Sequence, residues 1–136
     1  MFGYEPGPAR RTFMSELLEG LAREGRIRFE MSPFTPRDFL PVEVCARVLA
    51  RIVAAPPGGV LNVGSGIALP TGRVALWVLE GYGRGKLVIE SPIERDAFVL
   101  DVAELARRYG PPCTWEELRA SCLERGRRLA SEASQR

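Results

Sequence analysis

Proline and glycine punctuation constrains this chain more than any other feature. Eleven prolines and 14 glycines gather at residues 32–36, 54–59, 64–66, 81–85 and 110–112, and each cluster interrupts any helix or ladder that reaches it. Regular elements must fit between these stops. The 136 residues therefore resolve into short helices and short strands in alternation, the pattern of one α/β unit.

Between the stops, the spacing of apolar residues predicts each element. Thr12 is placed to cap a helix whose Phe13, Met14, Leu17, Leu18 and Leu21 share one face, and Gly25 ends it. Residues 26–30 alternate polar and apolar, as a half-buried strand does. Residues 32–36 form a loop because two prolines oppose regular pairing, and residues 37–40 a short strand. Pro41 then suits the first turn of a helix carrying Val44, Cys45, Val48, Leu49, Ile52 and Val53. Residues 60–63 read as a strand entering the glycine turn 64–66. Thr71 is a candidate cap for a helix over 73–80, followed by a loop over 81–85 and a strand over 86–90. Residues 97–100 are a further extended piece, and 101–108 a short helix. Thr114 followed three residues later by Glu117 is a capping box opening a final helix, whose inner face carries Trp115, Leu118, Cys122 and Leu129. Residues 1–130 form a single lobe, and 131–136 a polar, frayed tail.

Composition excludes several chemistries. With 46% hydrophobic and 26% charged residues the chain is globular, and a net charge of +2 gives no reason to expect nucleic acid. There is no histidine, so His-based triads and His–metal sites are ruled out. Cys45, Cys113 and Cys122 are odd in number and lack CxxC spacing, which suits reduced thiols in a cytoplasmic protein. The apolar runs are too short to cross a bilayer, and the first residues lack the pattern of a secretory signal. Of the 19 basic residues all but Lys86 are arginines, which suits bidentate phosphate or carboxylate contacts and equally follows from codon composition.

Three short motifs bear on chemistry. Tyr82 and Lys86 stand in a Tyr-x-x-x-Lys spacing, but two of the three residues between them are glycine, so the helix that would align phenol and ammonium is disfavoured. The 62–66 turn, Asn-Val-Gly-Ser-Gly, lacks the third glycine of a dinucleotide fingerprint, which would fall at Leu69; it is read either as a phosphate-approaching turn or as a close-packing turn. Arg37, beside a proline-containing loop, is either a clamp for a diphosphate or a surface arginine paired with Asp38.

In order, the opening residues 2–7, the segment Arg37-Asp38-Phe39-Leu40-Pro41-Val42, the turn 62–66, the Asp101 helix with Tyr109-Gly110 and its Pro111-Pro112 stop, and the terminal helix from Trp115 resemble the C-terminal part of the NAD-dependent epimerase/dehydratase family. These are extended short-chain dehydrogenases that act on nucleotide sugars. The resemblance implies an α/β lobe of alternating helices and short strands, the substrate-binding part of such an enzyme without its N-terminal Rossmann sheet. It further implies that Arg37 contacts the nucleotide diphosphate, that Arg11, Thr12 and Phe13 lie near the nucleotide, and that residues 62–66 brace the lobe against a Rossmann half.

The family's second diphosphate arginine falls at Ser91, with Arg95 nearby as a candidate. Only eleven residues precede the first helix, whereas one βαβ unit takes about 30. The resemblance therefore predicts a fragment or split half that binds a nucleotide sugar, has no catalytic residue and no cofactor of its own, and leaves NAD or NADP to the parent enzyme. The alternative is a non-catalytic interaction module that dimerises or docks onto a separate Rossmann partner.

Overall fold

The computed structural model describes residues 1–2 and 11–135. The opening turn at residues 3–7 and Arg10 lie outside the described residues, as does Arg136. Among the described residues five helices and four short strands follow one another: α1 (Phe13–Glu24), β1 (Arg26–Phe29), β2 (Pro36–Arg37), α2 (Val42–Ala54), β3 (Leu69–Pro70), α3 (Thr71–Tyr82), β4 (Lys86–Ile89), α4 (Ala103–Tyr109) and α5 (Trp115–Ser134). The α/β class expected from the punctuation, and the small lobe of helices and short strands that the resemblance implies, are what the chain adopts.

Both expected caps form, and the Thr12 cap is a full capping box like that of Thr114. The Thr12 side chain accepts from the Ser15 amide while the Ser15 hydroxyl receives the Thr12 amide, and Thr114 and Glu117 reciprocate in the same way at α5. Each satisfies two otherwise unpaired donors of a first turn. Gly25 closes α1, its amide donating to the Leu21 carbonyl.

Strands β1 and β4 pair in parallel, with Ile27 opposite Leu87 and Phe29 opposite Ile89. Ile27 and Phe29 point into the core and Arg28 is exposed, the alternation read from the sequence. The second pairing departs from expectation. The strand expected over 37–40 is confined to Pro36 and Arg37, which pair antiparallel with Leu69 and Pro70. Two prolines face each other across one rung. Neither has an N–H to contribute, so the ladder stops after two residues instead of being excluded altogether. Residues 38–40 are diverted from this ladder: the Asp38 amide donates to the Phe98 carbonyl, and the Leu40 carbonyl accepts from Phe2.

Residues 60–63 form no strand. They have no ladder partner among the described residues, and Val60 is almost fully exposed. Helix α3 begins two residues earlier than the sequence suggests. Pro70 is its N-cap residue and Thr71 its first residue, because the carbonyls of Thr35 and Pro33 accept from the Thr71 and Gly72 amides, at 3.1 and 2.8 Å, and replace a side-chain cap. It also runs on through Gly81 to Tyr82, so only the end of the expected 81–85 loop is irregular. The polar residues 131–134 continue α5 where a frayed tail was expected.

The core lies between β1, α1 and the α3–α5 pair. Leu21, Ile27, Val74, Val78, Leu118 and Cys122 are nearly inaccessible to solvent. Helices α3 and α5 make the most extensive helix contact in the chain. The residue pairs that let them meet are glycines. A Cβ on Gly126 would lie 2.6 Å from the Tyr82 nitrogen and overlap the Val78 carbonyl, and one on Gly81 would lie 2.8 Å from the Leu123 carbonyl carbon. The two backbones are in direct contact there. An edge-on contact of Trp77 with Trp115, ring centres 6.0 Å apart, fills the opening of the same seam.

Burial sets the thiol chemistry. It pushes Cys122 up to about 12 and, with a smaller push from the Glu117 charge, Cys113 up to about 11, from an ordinary 9.0. Both raised values favour the neutral thiol in the fold. Their contribution to stability is whole below pH 9 and is lost as the pH rises towards 11–12. Since the thiolate is the reactive form, a disulfide reagent at pH 8 is expected to label half-buried Cys45 alone on the native protein and all three thiols after denaturation. Prompt labelling of Cys122 in the native state would contradict this packing.

Candidate functional site

An open cleft of about 570 Å³ runs between the outer face of α1 and the end of β1. Helix α1 contributes Phe13, Glu16, Glu19, Gly20, Arg23 and Glu24, with Arg11 just before it; β1 and the following turn contribute Arg28, Phe29, Glu30 and Met31. Arg95 completes the wall from a distant segment. The period of α1 explains its share: Leu17 and Leu21 face the core, so Glu16, Glu19 and Arg23 fall on the opposite side.

Aromatic packing fixes the apolar end of the cleft. The Phe13 ring sits 5.8 Å from Phe29, nearly perpendicular, and 5.5 Å from Phe39, which in turn meets Phe2 edge-on. Phe13 is thus held from behind by core rings while part of its surface stays open to the cleft.

The charged groups are mostly paired. Arg28 bridges Glu24 at 2.7 Å and Glu90 at 2.9 Å. The Arg28 guanidinium, and after it that of Arg26, holds the Glu24 carboxyl below the usual carboxylate range. Arg23 pairs with Glu19 one turn earlier at 2.9 Å. Arg11 and Glu16 are 3.9 Å apart and both largely exposed, a contact worth little in water. Arg95 has no carboxylate partner among the described residues.

The structure therefore brings together three of the five residues picked from the sequence: Arg11, Phe13 and Arg95. The remaining two are placed elsewhere. Thr12 is engaged in the α1 cap, its hydroxyl accepting from the Ser15 amide at 3.1 Å. Arg37 does not line the cleft and forms no ion pair with Asp38; its Nη1 donates to the carbonyls of Asp96 and Pro36. Sequence reasoning missed Arg28, Glu30 and Met31, although the alternation of 26–30 already set Arg28 and Glu30 on the outer face of β1.

Asp38 has a different role from the surface partner of Arg37 that was considered. Its Oδ1 accepts from the Ser65 amide and hydroxyl, both at 2.8 Å, and its Oδ2 from the amides of Gly66 at 2.9 Å and Leu100 at 3.3 Å. The glycine turn is thereby closed. Gly66 has a left-handed φ of 70°, and the Val102 side chain fills the place a Cβ would take. The amides of Ser65 and Gly66 already have an acceptor, so the turn offers no cradle for a phosphate.

Tyr82 and Lys86 do not form a phenol–ammonium pair. Tyr82 ends α3, Lys86 opens β4, and it is Arg84 that lies against the Tyr82 ring, 5.1 Å from its centre, and donates to its hydroxyl at 3.3 Å. No helix among the described residues is long and apolar enough to cross a membrane.

No family model matches the sequence, and no curated protein matches it significantly. The fold does have a solved counterpart. With a TM-score of 0.65 and 23% identity, the chain resembles the structure of TunA, an NAD-dependent NDP-hexosamine 5,6-dehydratase involved in tunicamycin biosynthesis. The likeness covers 88% of this chain and 41% of that one, so the chain spans about two fifths of the length of the enzyme it resembles. At this identity the likeness establishes the fold.

Proposed function

We propose that the chain is the nucleotide-sugar-binding lobe of an NAD(P)-dependent, extended short-chain-dehydrogenase-like enzyme, and that the cleft between α1 and β1 receives a nucleoside diphosphate sugar. The observation that carries this reading is the convergence of Arg11, Phe13 and Arg95 on one cleft, from segments more than 80 residues apart in sequence. An arginine without a carboxylate partner suits a diphosphate oxygen, and a half-open aromatic ring suits the face of a base. The carboxylate of Glu30, which has no ion-pair partner among the described residues, adds an acceptor for hydroxyl or amino groups. The shared fold with TunA supports the same class of ligand.

The nicotinamide cofactor belongs to the parent enzyme in this reading. The glycine turn at 64–66 does not fit a dinucleotide phosphate, for the reasons its Asp38 and Val102 contacts give. The purified chain is therefore expected to bind without turnover. Titration calorimetry with UDP-, dTDP- and GDP-sugars should show binding, and Arg95→Ala should weaken it about tenfold, the loss of one charge-assisted contact of roughly 1.5 kcal/mol. No heat with any nucleotide sugar would remove the proposal, and turnover with NAD would remove the claim of inertness.

A second reading has its own observation. Phe34 and Ile93 are 77% and 65% exposed and lie on segments joined by the Ser32 amide and the Ile93 carbonyl, and Phe98 is 62% exposed beside Arg37. An apolar patch of this kind favours association with a second copy or a separate Rossmann partner. Sedimentation at increasing concentration tests it: a monomer throughout removes self-association.

A further inference from the structure

Strand β1 and the residue after it carry two charged side chains on one outer face, those of Arg28 and Glu30, because the alternation that buries Ile27 and Phe29 turns both outward. Neighbours of opposite charge at this spacing ordinarily pair. Here the Arg28 guanidinium turns instead to Glu24 at 2.7 Å and Glu90 at 2.9 Å, and Glu24 takes Arg26 as a second partner at 2.8 Å. The other acids of the cleft, Glu16 and Glu19, face Arg11 and Arg23. The Glu30 carboxylate is left with no hydrogen-bond or ion-pair partner among the described residues.

The backbone fixes its place. The Phe29 carbonyl accepts from the amides of Glu90 at 2.8 Å and Ser91 at 3.3 Å, and the Ser32 amide donates to the Ile93 carbonyl at 2.8 Å, so the chain is tied on both sides of Glu30. The Phe29 ring packs on that of Phe13, with ring centres 5.8 Å apart, and the half-open Phe13 ring lines the same cleft. An aromatic face and a free pair of carboxylate oxygens thus share one end of it.

We propose that Glu30 reads the base of the ligand and makes the cleft selective for guanine nucleotides. A carboxylate only accepts, and its two oxygens match two donors side by side. Guanine carries such a pair on one edge, the N1–H and the 2-amino group. Uracil and thymine present a single N–H between two carbonyl oxygens, which the carboxylate repels, and adenine and cytosine present an amino group beside a ring nitrogen that accepts. The Phe13 ring supplies contact to the base face, which every base offers, so the choice among bases falls to Glu30. Because Glu30 is exposed, water competes for both bonds, and a preference of about tenfold is expected.

This inference rests on the proposed function, and one set of titrations separates the two. GDP, UDP, dTDP and ADP are titrated into the intact chain and into Glu30→Gln. The unaltered chain should bind GDP about tenfold more tightly than the other three, and inosine diphosphate, which lacks the 2-amino group, at an intermediate level. Glu30→Gln replaces one acceptor oxygen by an NH2 group. It then opposes a donor of guanine but complements the N–H and carbonyl of uracil, so GDP and UDP should come within about twofold of each other. The Glu30 side chain has no partner in the fold, so the same variant should keep the parent's denaturation midpoint. UDP or dTDP bound as tightly as GDP by the unaltered chain overturns the guanine reading and leaves the cleft's function standing. An equal gain for all four diphosphates in Glu30→Gln also overturns it, since Glu30 would then act only by repelling phosphate. Absence of binding by all four overturns the proposed function, and with it the role assigned to Glu30.

Discussion

Gly126→Ala is expected to lower the unfolding free energy by about 3 kcal/mol, and Gly126→Leu to leave the chain unfolded. The sign is the informative part. In an exposed helix interior, replacing glycine by alanine stabilises by roughly 1 kcal/mol, because glycine has the larger conformational entropy to lose. Here the new methyl group would sit 2.6 Å from the Tyr82 nitrogen and inside the contact distance of the Val78 carbonyl oxygen. Both atoms belong to the backbone of α3, so no rotamer change can make room. Relief comes only by moving α5 away from α3, which opens the seam around Val78, Leu118 and Cys122. Gly81→Ala acts on the same contact from the other helix, against the Leu123 backbone, and the pair is expected to be less than additive once the helices have separated. Denaturant titration checks this: the midpoint should fall with little change in slope, while Gly58→Ala, with open space around it, should stay within about 0.5 kcal/mol of the parent. A Gly126→Ala variant as stable as the parent would mean that α3 and α5 do not meet at these glycines.

That contact also marks where sequence reasoning reached its limit. Gly81 stands in a run with Gly83 and Gly85, and local chemistry alone reads such a run as a loop. The helix passes through Gly81 because the backbone of Leu123, in a helix distant in sequence, needs the missing side chain, and no periodicity within α3 records that need. Features set by neighbouring residues were legible: the Thr12 cap, the Thr114–Glu117 capping box, the stop at Gly25, and the burial of Leu17, Leu21, Ile27 and Phe29. Features set by distant pairing were not. Residues 60–63 have the apolar content of a strand, yet a strand needs a partner and none is within reach among the described residues. Leu69 and Pro70 show no strand pattern and still pair, because their partner is equally short.

The candidate site divides in the same way. Arg11 and Phe13 stand at the start of α1, and it was the family resemblance, not the helix period, that pointed to them. Arg95 reaches the cleft only through the hydrogen bonds that fold residues 93–100 back onto 32–38. Arg37 was expected at a diphosphate or beside Asp38, and its carbonyl partners at Asp96 and Pro36 are visible only in three dimensions. An arginine beside an aspartate in sequence also invites a pairing that the backbone prevents: successive side chains of an extended segment point to opposite sides, and here one faces the 94–98 segment while the other faces the glycine turn.

Asp38→Ala should therefore have the second large effect, about 3 kcal/mol of stability, together with a local signature. The carboxylate serves four donors, those of the Ser65 amide and hydroxyl, the Gly66 amide and the Leu100 amide. Hydrogen bonds to a charged group contribute roughly 1.5–3 kcal/mol each in isolation, and four that share one carboxylate fall well short of their sum. Ser65 is only 4% exposed, so removing the acceptor leaves a nearly buried hydroxyl without its partner, a larger cost than the bond itself. Asp38→Asn is a sharper probe because it keeps the shape and replaces one acceptor oxygen by an NH2 group. Whichever way the amide turns, a donor then faces the amides of Gly66 and Leu100 or that of Ser65, and a loss of about 2 kcal/mol is expected. Ser65→Ala, which withdraws one donor and leaves the carboxylate to the other three, should cost only about 1 kcal/mol. Exchange of the Ser65, Gly66 and Leu100 amides should accelerate in both Asp38 variants well before that of the α3 core, since the glycine turn and the 93–100 segment lose their common anchor while the α3–α5 seam stays closed. Equal acceleration across the whole chain would mean that Asp38 acts on global stability alone, and unchanged protection at these three amides would remove it as the group that holds the two loops together.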